Sequence, residues 1–115
     1  MRQQLTGEDA AESLIASQTP SWILKHSTTC SISSAALAEV ERYLADHAQE
    51  TVGVVVVQSH RPLSNALAKR LQYVHQSPQL FLLQAGKVHW HASHWGITAA
   101  AMVSARNALA KATPT

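Results

Sequence analysis

The chain holds one cysteine, Cys30, inside Lys25-His26-Ser27-Thr28-Thr29-Cys30-Ser31-Ile32-Ser33, where an extended apolar run gives way to helical spacing. A thiol in the first turn of a helix lies among unpaired backbone N–H groups at the positive end of the helix dipole. Both favour thiolate over thiol, and the thiolate is the reactive form. Lys25 and His26 offer positive charge nearby. A lone cysteine is also common as a small buried hydrophobe. The hydroxyls of Thr28, Thr29, Ser31 and Ser33 suit a capped, solvent-facing helix start better than a core, with Thr29 or Ser27 as the expected cap.

Cys30 and Ser33 form a C-x-x-S pair, with a hydroxyl where a dithiol site has its second sulfur. Such a site can attack a disulfide but cannot close one internally, so an outside thiol must resolve the mixed disulfide. Ser33 can hydrogen-bond the thiolate or satisfy the first turn.

The elements that position this thiol follow from periodicity. Thr6-Gly7-Glu8-Asp9 resembles a capping sequence for a short helix reaching about Gln18, after which Thr19-Pro20 breaks the chain. Ser21 to Lys25 reads as a strand. From Cys30 to about His47, Ile32, Ala36, Leu37, Val40, Tyr43 and Leu44 recur at helical spacing. Val52 to Val57 is the β-branched run of a strand buried on both faces. His60-Arg61-Pro62 opens a helix ending near Gln72 or Tyr73, with proline in its first turn. Gln79–Gln84 and Lys87–Ala92 flank Ala85-Gly86 and read as a β-hairpin. Thr98 caps a last helix reaching about Lys111, and Thr113-Pro114-Thr115 is a frayed tail.

The order is α, then βαβα, then ββα. With a right-handed crossover this gives a central mixed four-stranded sheet flanked by helices, an α/β layout that resembles a thioredoxin-like domain. The whole chain, 1–115, is expected to be that one domain, with flexible ends at about 1–5 and 112–115. In this layout Ser77-Pro78 precedes the third strand, the place where thioredoxin-like domains hold a cis-proline beside the active cysteine. A two-residue hairpin loop sets Leu80 opposite His91, Gln79 opposite Ala92 and Pro78 opposite Ser93. Ser93 and His94 then return to Pro78 and Cys30, where a histidine can stabilise the thiolate or carry a proton to a leaving thiol.

Composition narrows the alternatives. The net charge is +2, and nine lysines and arginines are scattered from Arg2 to Lys111 without a basic stripe, so a nucleic-acid partner is not expected. No run approaches the roughly 20 apolar residues of a membrane span, and the first residues lack a signal-peptide core. A soluble cytoplasmic protein is the expectation, consistent with the absence of an internal disulfide. Seven histidines raise the question of metal. His89 and His91 share a strand face and His94 follows, but without carboxylates or further cysteines the set is a weak ligand pattern, and no metal site is expected. Trp22, Trp90 and Trp95 read as core or rim packing, with Trp95 able to line a site.

The chain resembles the monothiol bacilliredoxins, the YtxJ-like redox-active proteins of the bacillithiol system. The resemblance rests on Lys25 to Cys30, Ile32-Ser33, Ser77-Pro78-Gln79, Gly86-Lys87-Val88 and Trp90 to His94. It implies a thioredoxin fold, Cys30 as nucleophile, no bound cofactor, bacillithiol as low-molecular-weight thiol co-substrate, and S-thiolated client proteins as partners. It also implies a substrate groove at Ser77 and Pro78. One position departs from the family: Ser31 stands where proline usually follows the cysteine, leaving the nucleophile in place but altering its setting. The reading from another class is a non-catalytic thioredoxin-like module that binds or senses redox state through Cys30 without turnover.

Overall fold

Alternation along the strands decides the architecture. In the computed structural model, which describes residues 1–112, the chain forms β1 (Arg2–Gln4), α1 (Glu8–Ala16), β2 (Ser21–His26), α2 (Ser31–Asp46), β3 (Val52–Val56), α3 (Arg61–Leu71), β4 (Gln79–Gln84) and β5 (Lys87–Ser93). A single 3-10 turn at His94–Gly96 then leads into α4 (Ala99–Ala112). The tail expected from Thr113 onward lies outside the described residues.

The sheet order is β1-β3-β2-β4-β5, with β1, β3 and β2 parallel and β4 and β5 antiparallel. On one face Trp22, Leu24, Val52, Val54, Leu80 and Leu82 meet Ala36, Val40 and Tyr43 of α2 and Met102, Ala105 and Leu109 of α4. On the other, Ile23, Val55, Phe81 and Leu83 meet Ala11 and Ile15 of α1 and Leu63, Leu67 and Leu71 of α3. Two apolar layers thus cover a sheet whose central strands are buried on both sides, which is why β3 reads as an unbroken apolar run.

The sheet has five strands, not the expected four. The extra strand, β1, is Arg-Gln-Gln, so its sequence carries no apolar alternation. Backbone pairing with β3 (Arg2 opposite Val52, Gln4 opposite Val54) and the burial of Leu5 hold it. The Leu5 N–H donates to Val54 O at 2.8 Å, and Arg2 pairs with Glu41 of α2. At the start of α1 the cap residue is Gly7, with no side-chain cap bond, rather than Thr6.

The hairpin turns at Ala85 (φ 52°) and Gly86 (φ 84°), as a two-residue loop with both φ positive requires. Their amides donate to Ser17 O and Ile15 O, each at 2.8 Å, tying the turn to the end of α1. The expected register holds for Gln84 opposite Lys87 and Leu83 opposite Val88; a β-bulge then shifts it by one residue. Leu80 therefore faces Ala92, and Gln79 faces Ser93. The bulge also parts the histidines: His89 is exposed, and His91 packs half-buried on Tyr73, ring centroids 4.5 Å apart. No group of three or more histidines, cysteines or carboxylates able to hold a metal occurs among the described residues.

Candidate active site at the head of α2

The site forms where β2 ends and α2 begins. Cys30 is itself the N-cap, with extended backbone (φ −112°, ψ 126°), in place of the expected Thr29 or Ser27. A cap residue directs its side chain over the free amides of the first turn, and here that side chain is a thiol. It closes no side-chain cap bond as a thiol. Its pKa is nevertheless lowered, first by the Ser33 backbone N–H; burial opposes this, and the Ile32 N–H and the Ser33 hydroxyl add smaller lowering effects. The thiol is partly exposed, as an attacking group needs.

Ser33 is fully buried beneath it. Its Oγ accepts a hydrogen bond from the Ser27 N–H at 3.2 Å, leaving the hydroxyl proton available to a thiolate. Ser27 and Thr29 do not cap the helix. Their hydroxyls lie 3.3 Å apart and share a partner that sequence reasoning missed, Gln58, whose Nε2 donates to Ser27 Oγ (2.6 Å) and Thr29 Oγ1 (3.1 Å). Gln58 Oε1 accepts from the Thr28 N–H at 3.2 Å, so one amide grips three successive residues before the cysteine. Gln58 follows β3, which lies beside β2; parallel pairing of Val56 with His26 was the signal that places it there.

His26 and Lys25 separate by strand alternation. His26 is buried, and burial holds its pKa below the usual imidazole range, so it is a neutral group under the helix start rather than a cation. Lys25 points to the opposite face, where its Nζ donates to Ser64 O of α3 at 2.9 Å and lies 3.2 Å from His75 Nδ1. The structure does not bring Lys25 to Cys30.

The remaining expected residues gather at the same end of the sheet. The Ser77-Pro78 bond is cis. Lys25 pairs across strands with Gln79, so the register continued by one sets Pro78 opposite His26. Pro78 O accepts from the His94 N–H at 3.1 Å; because of the bulge it is His94, not Ser93, that meets the proline. Ser77 Oγ is buried without a hydrogen-bond partner among the described residues, and His94 is exposed with φ 53°. Trp95 beside it is 70% exposed and so belongs to the rim.

This arrangement is a single nucleophile with a pre-set anion environment and no second sulfur. The sequence matches the family model described as monothiol bacilliredoxin BrxC over residues 3–102. The chain belongs to that family. Its fold agrees with a solved structure described as a candidate oxidoreductase with a thioredoxin fold, at 30% identity and TM-score 0.86 over 91% of this chain and 93% of that one. Thioredoxins share the fold at much lower identity. That of Trypanosoma brucei brucei gives 9% identity and TM-score 0.78 over 94% of this chain and 89% of its own, and that of Fasciola hepatica 14% and 0.71 over 96% and 99%. Family and fold together support a thiol oxidoreductase. Among the described residues no helix is long and apolar enough to cross a membrane. For a bacilliredoxin, the departure at Ser31 falls on the first helical residue, exposed and after an extended Cys30.

Proposed function

We propose that this bacilliredoxin is a cytoplasmic enzyme that removes bacillithiol from protein mixed disulfides. The observation that carries the reading is the lone Cys30 thiol at the α2 N-cap, favoured as thiolate by the Ser33 and Ile32 amides, with a buried serine where a second thiol would stand. In the first step Cys30 Sγ attacks the bacillithiol sulfur of a client disulfide. A new S–S bond forms, the old one breaks, and the client leaves as thiolate and takes a proton from solvent. In the second step the thiolate of another bacillithiol attacks the adduct, releasing oxidised bacillithiol and regenerating the Cys30 thiolate. The client is reduced by two electrons and two bacillithiol units are joined; nothing else is consumed. The amides at the head of α2 hold the negative charge of Cys30 before attack and after release. In this reading Ser77, Pro78, Ser93 and His94, at the same end of the sheet as the head of α2, are the wall on which a substrate chain lies.

The test is turnover of a bacillithiolated client by the wild type and Cys30→Ser, with mass spectrometry of the enzyme. The expected result is an adduct on Cys30 that forms with substrate and clears with reduced bacillithiol, and loss of turnover in the variant. Substantial activity in Cys30→Ser would overturn the mechanism, and an adduct that never clears would make the protein a redox-sensing module.

A further inference from the structure

Lys25 is fully buried, yet its hydrogen-bonding neighbours among the described residues are a backbone carbonyl and an imidazole. A buried amine without an anion is costly unless its donors are placed, so what it holds is structurally specified. It donates to Ser64 O (2.9 Å) and faces His75 Nδ1 at 3.2 Å, and Ser64 Oγ lies 3.3 Å from the same nitrogen. Lysine has only donors, so Nδ1 is the acceptor and His75 is held as the neutral tautomer protonated at Nε2.

The opposite strand does the same. Gln79, cross-strand neighbour of Lys25 and almost fully buried, donates from Nε2 to Val74 O at 3.1 Å, while its Oε1 lies 3.4 Å from the Gln76 N–H. Val74 is 84% exposed, so little apolar packing fixes this stretch. Buried polar side chains from β2 and β4 therefore fasten residues 74–76, and the next two residues are Ser77 and Pro78 of the site wall.

We propose that Lys25 and His75 form a latch that sets the position of residues 74–78, which makes Lys25 a positioning residue for exchange at Cys30, acting through this segment from the far face of the sheet. The role in exchange rests on the function proposed above; the latch itself does not.

The experiment uses His75→Leu, His75→Asn and Lys25→Met in the full chain. His75 is exposed on its outer side, so its replacement spares the core. In His75→Asn the side-chain amide oxygen stands near the place of the imidazole Nδ1 and can still accept from Lys25. Three quantities are read: amide hydrogen exchange of residues 74–77, the pH profile of Cys30 alkylation by iodoacetamide, and kcat and KM for a bacillithiolated peptide. In His75→Leu and Lys25→Met, exchange at the Gln76 amide should accelerate at least tenfold and KM rise several-fold, with the alkylation profile unmoved. His75→Asn should restore both. Unchanged amide exchange in His75→Leu would overturn the latch. A shifted alkylation profile with KM unchanged would also overturn the proposal, because Lys25 would then act on the thiolate directly. Absence of wild-type turnover on the peptide would refute the function proposed above, while the amide-exchange arm would still decide the latch.

Discussion

At the scale of single residues, the chemistry of Cys30 divides between backbone and side chain. The Ser33 N–H is the strongest influence lowering its pKa, and the Ser33 hydroxyl adds to it. Ser33→Ala removes only the hydroxyl. The midpoint of the alkylation rate against pH should therefore rise but stay below that of an unperturbed thiol. Stability should fall by about 1–3 kcal/mol, because the Ser27 N–H loses its acceptor in a buried setting. A midpoint unchanged from wild type would remove the hydroxyl from the thiolate's environment. Ser31 makes the complementary case. Proline is favoured at the first helical position and requires an extended residue before it, and Cys30 at φ −112°, ψ 126° already meets that requirement. The Ser31 amide is not among the groups that lower the thiol pKa. Ser31→Pro should thus raise stability by roughly 0.4–1 kcal/mol and leave the alkylation profile in place. A shifted profile would show that Ser31 tunes the nucleophile through a contact other than its N–H.

At the scale of elements, what could be read from sequence was whatever has a period. The four principal helices, the apolar run of β3 and the hairpin with Ala85-Gly86 at its tip were legible because each repeats or breaks a pattern. Strand β1 was not, since Arg2-Gln3-Gln4 buries little and is held by backbone pairing, by the burial of Leu5 and by the pairing of Arg2 with Glu41. Nor was the bulge in β5, which replaced Ser93 by His94 as the partner of Pro78, because an extra residue in one strand leaves no mark in a short sequence of mixed character. The cap was misplaced for a related reason: Thr29 and Ser27 have better capping side chains than cysteine, but Gln58 occupies both hydroxyls from a neighbouring loop. Gly53 shows how tightly β1 and α1 are seated. A Cβ there would lie 2.6 Å from Leu14 Cδ1 and from Leu5 Cδ1, and 2.9 Å from Leu5 Cγ. Gly53→Ala should cost about 1–3 kcal/mol through overpacking and speed exchange of the Leu5 amide, which bonds Val54 O. A denaturation midpoint equal to wild type would mean that β1 is only loosely attached.

At the scale of the whole molecule, the sheet separates two tasks that the sequence places side by side in Lys25-His26. The α2 and α4 face carries the thiol, and the α1 and α3 face carries a buried amine. That division escapes a linear reading: proximity in sequence suggested that Lys25 lends charge to Cys30, whereas alternation along β2 sends it away. The buried amine instead leaves a mark on the stability of the entire fold. Burial lowers the Lys25 pKa to about 8 from an ordinary 10.5. Between those values the unfolded chain holds a proton that the folded chain has released. Unfolding then takes up a proton, and stability rises with pH through this window; below about pH 8 both states are protonated and the gain is absent. The shift corresponds to roughly 3 kcal/mol between pH 7 and pH 10.5. Other groups also titrate there: Tyr43 is pushed up by burial and by its hydrogen bond to Glu50, so it pulls stability down once the unfolded tyrosine ionises. Lys25→Met retains those groups and lacks only the amine. The difference in unfolding free energy between wild type and Lys25→Met, measured by denaturant titration at several pH values, should therefore climb in favour of the wild type by about that amount across the window. A difference that stays flat with pH would place the Lys25 titration in the ordinary lysine range, and the amine would then have to be charged in the core throughout.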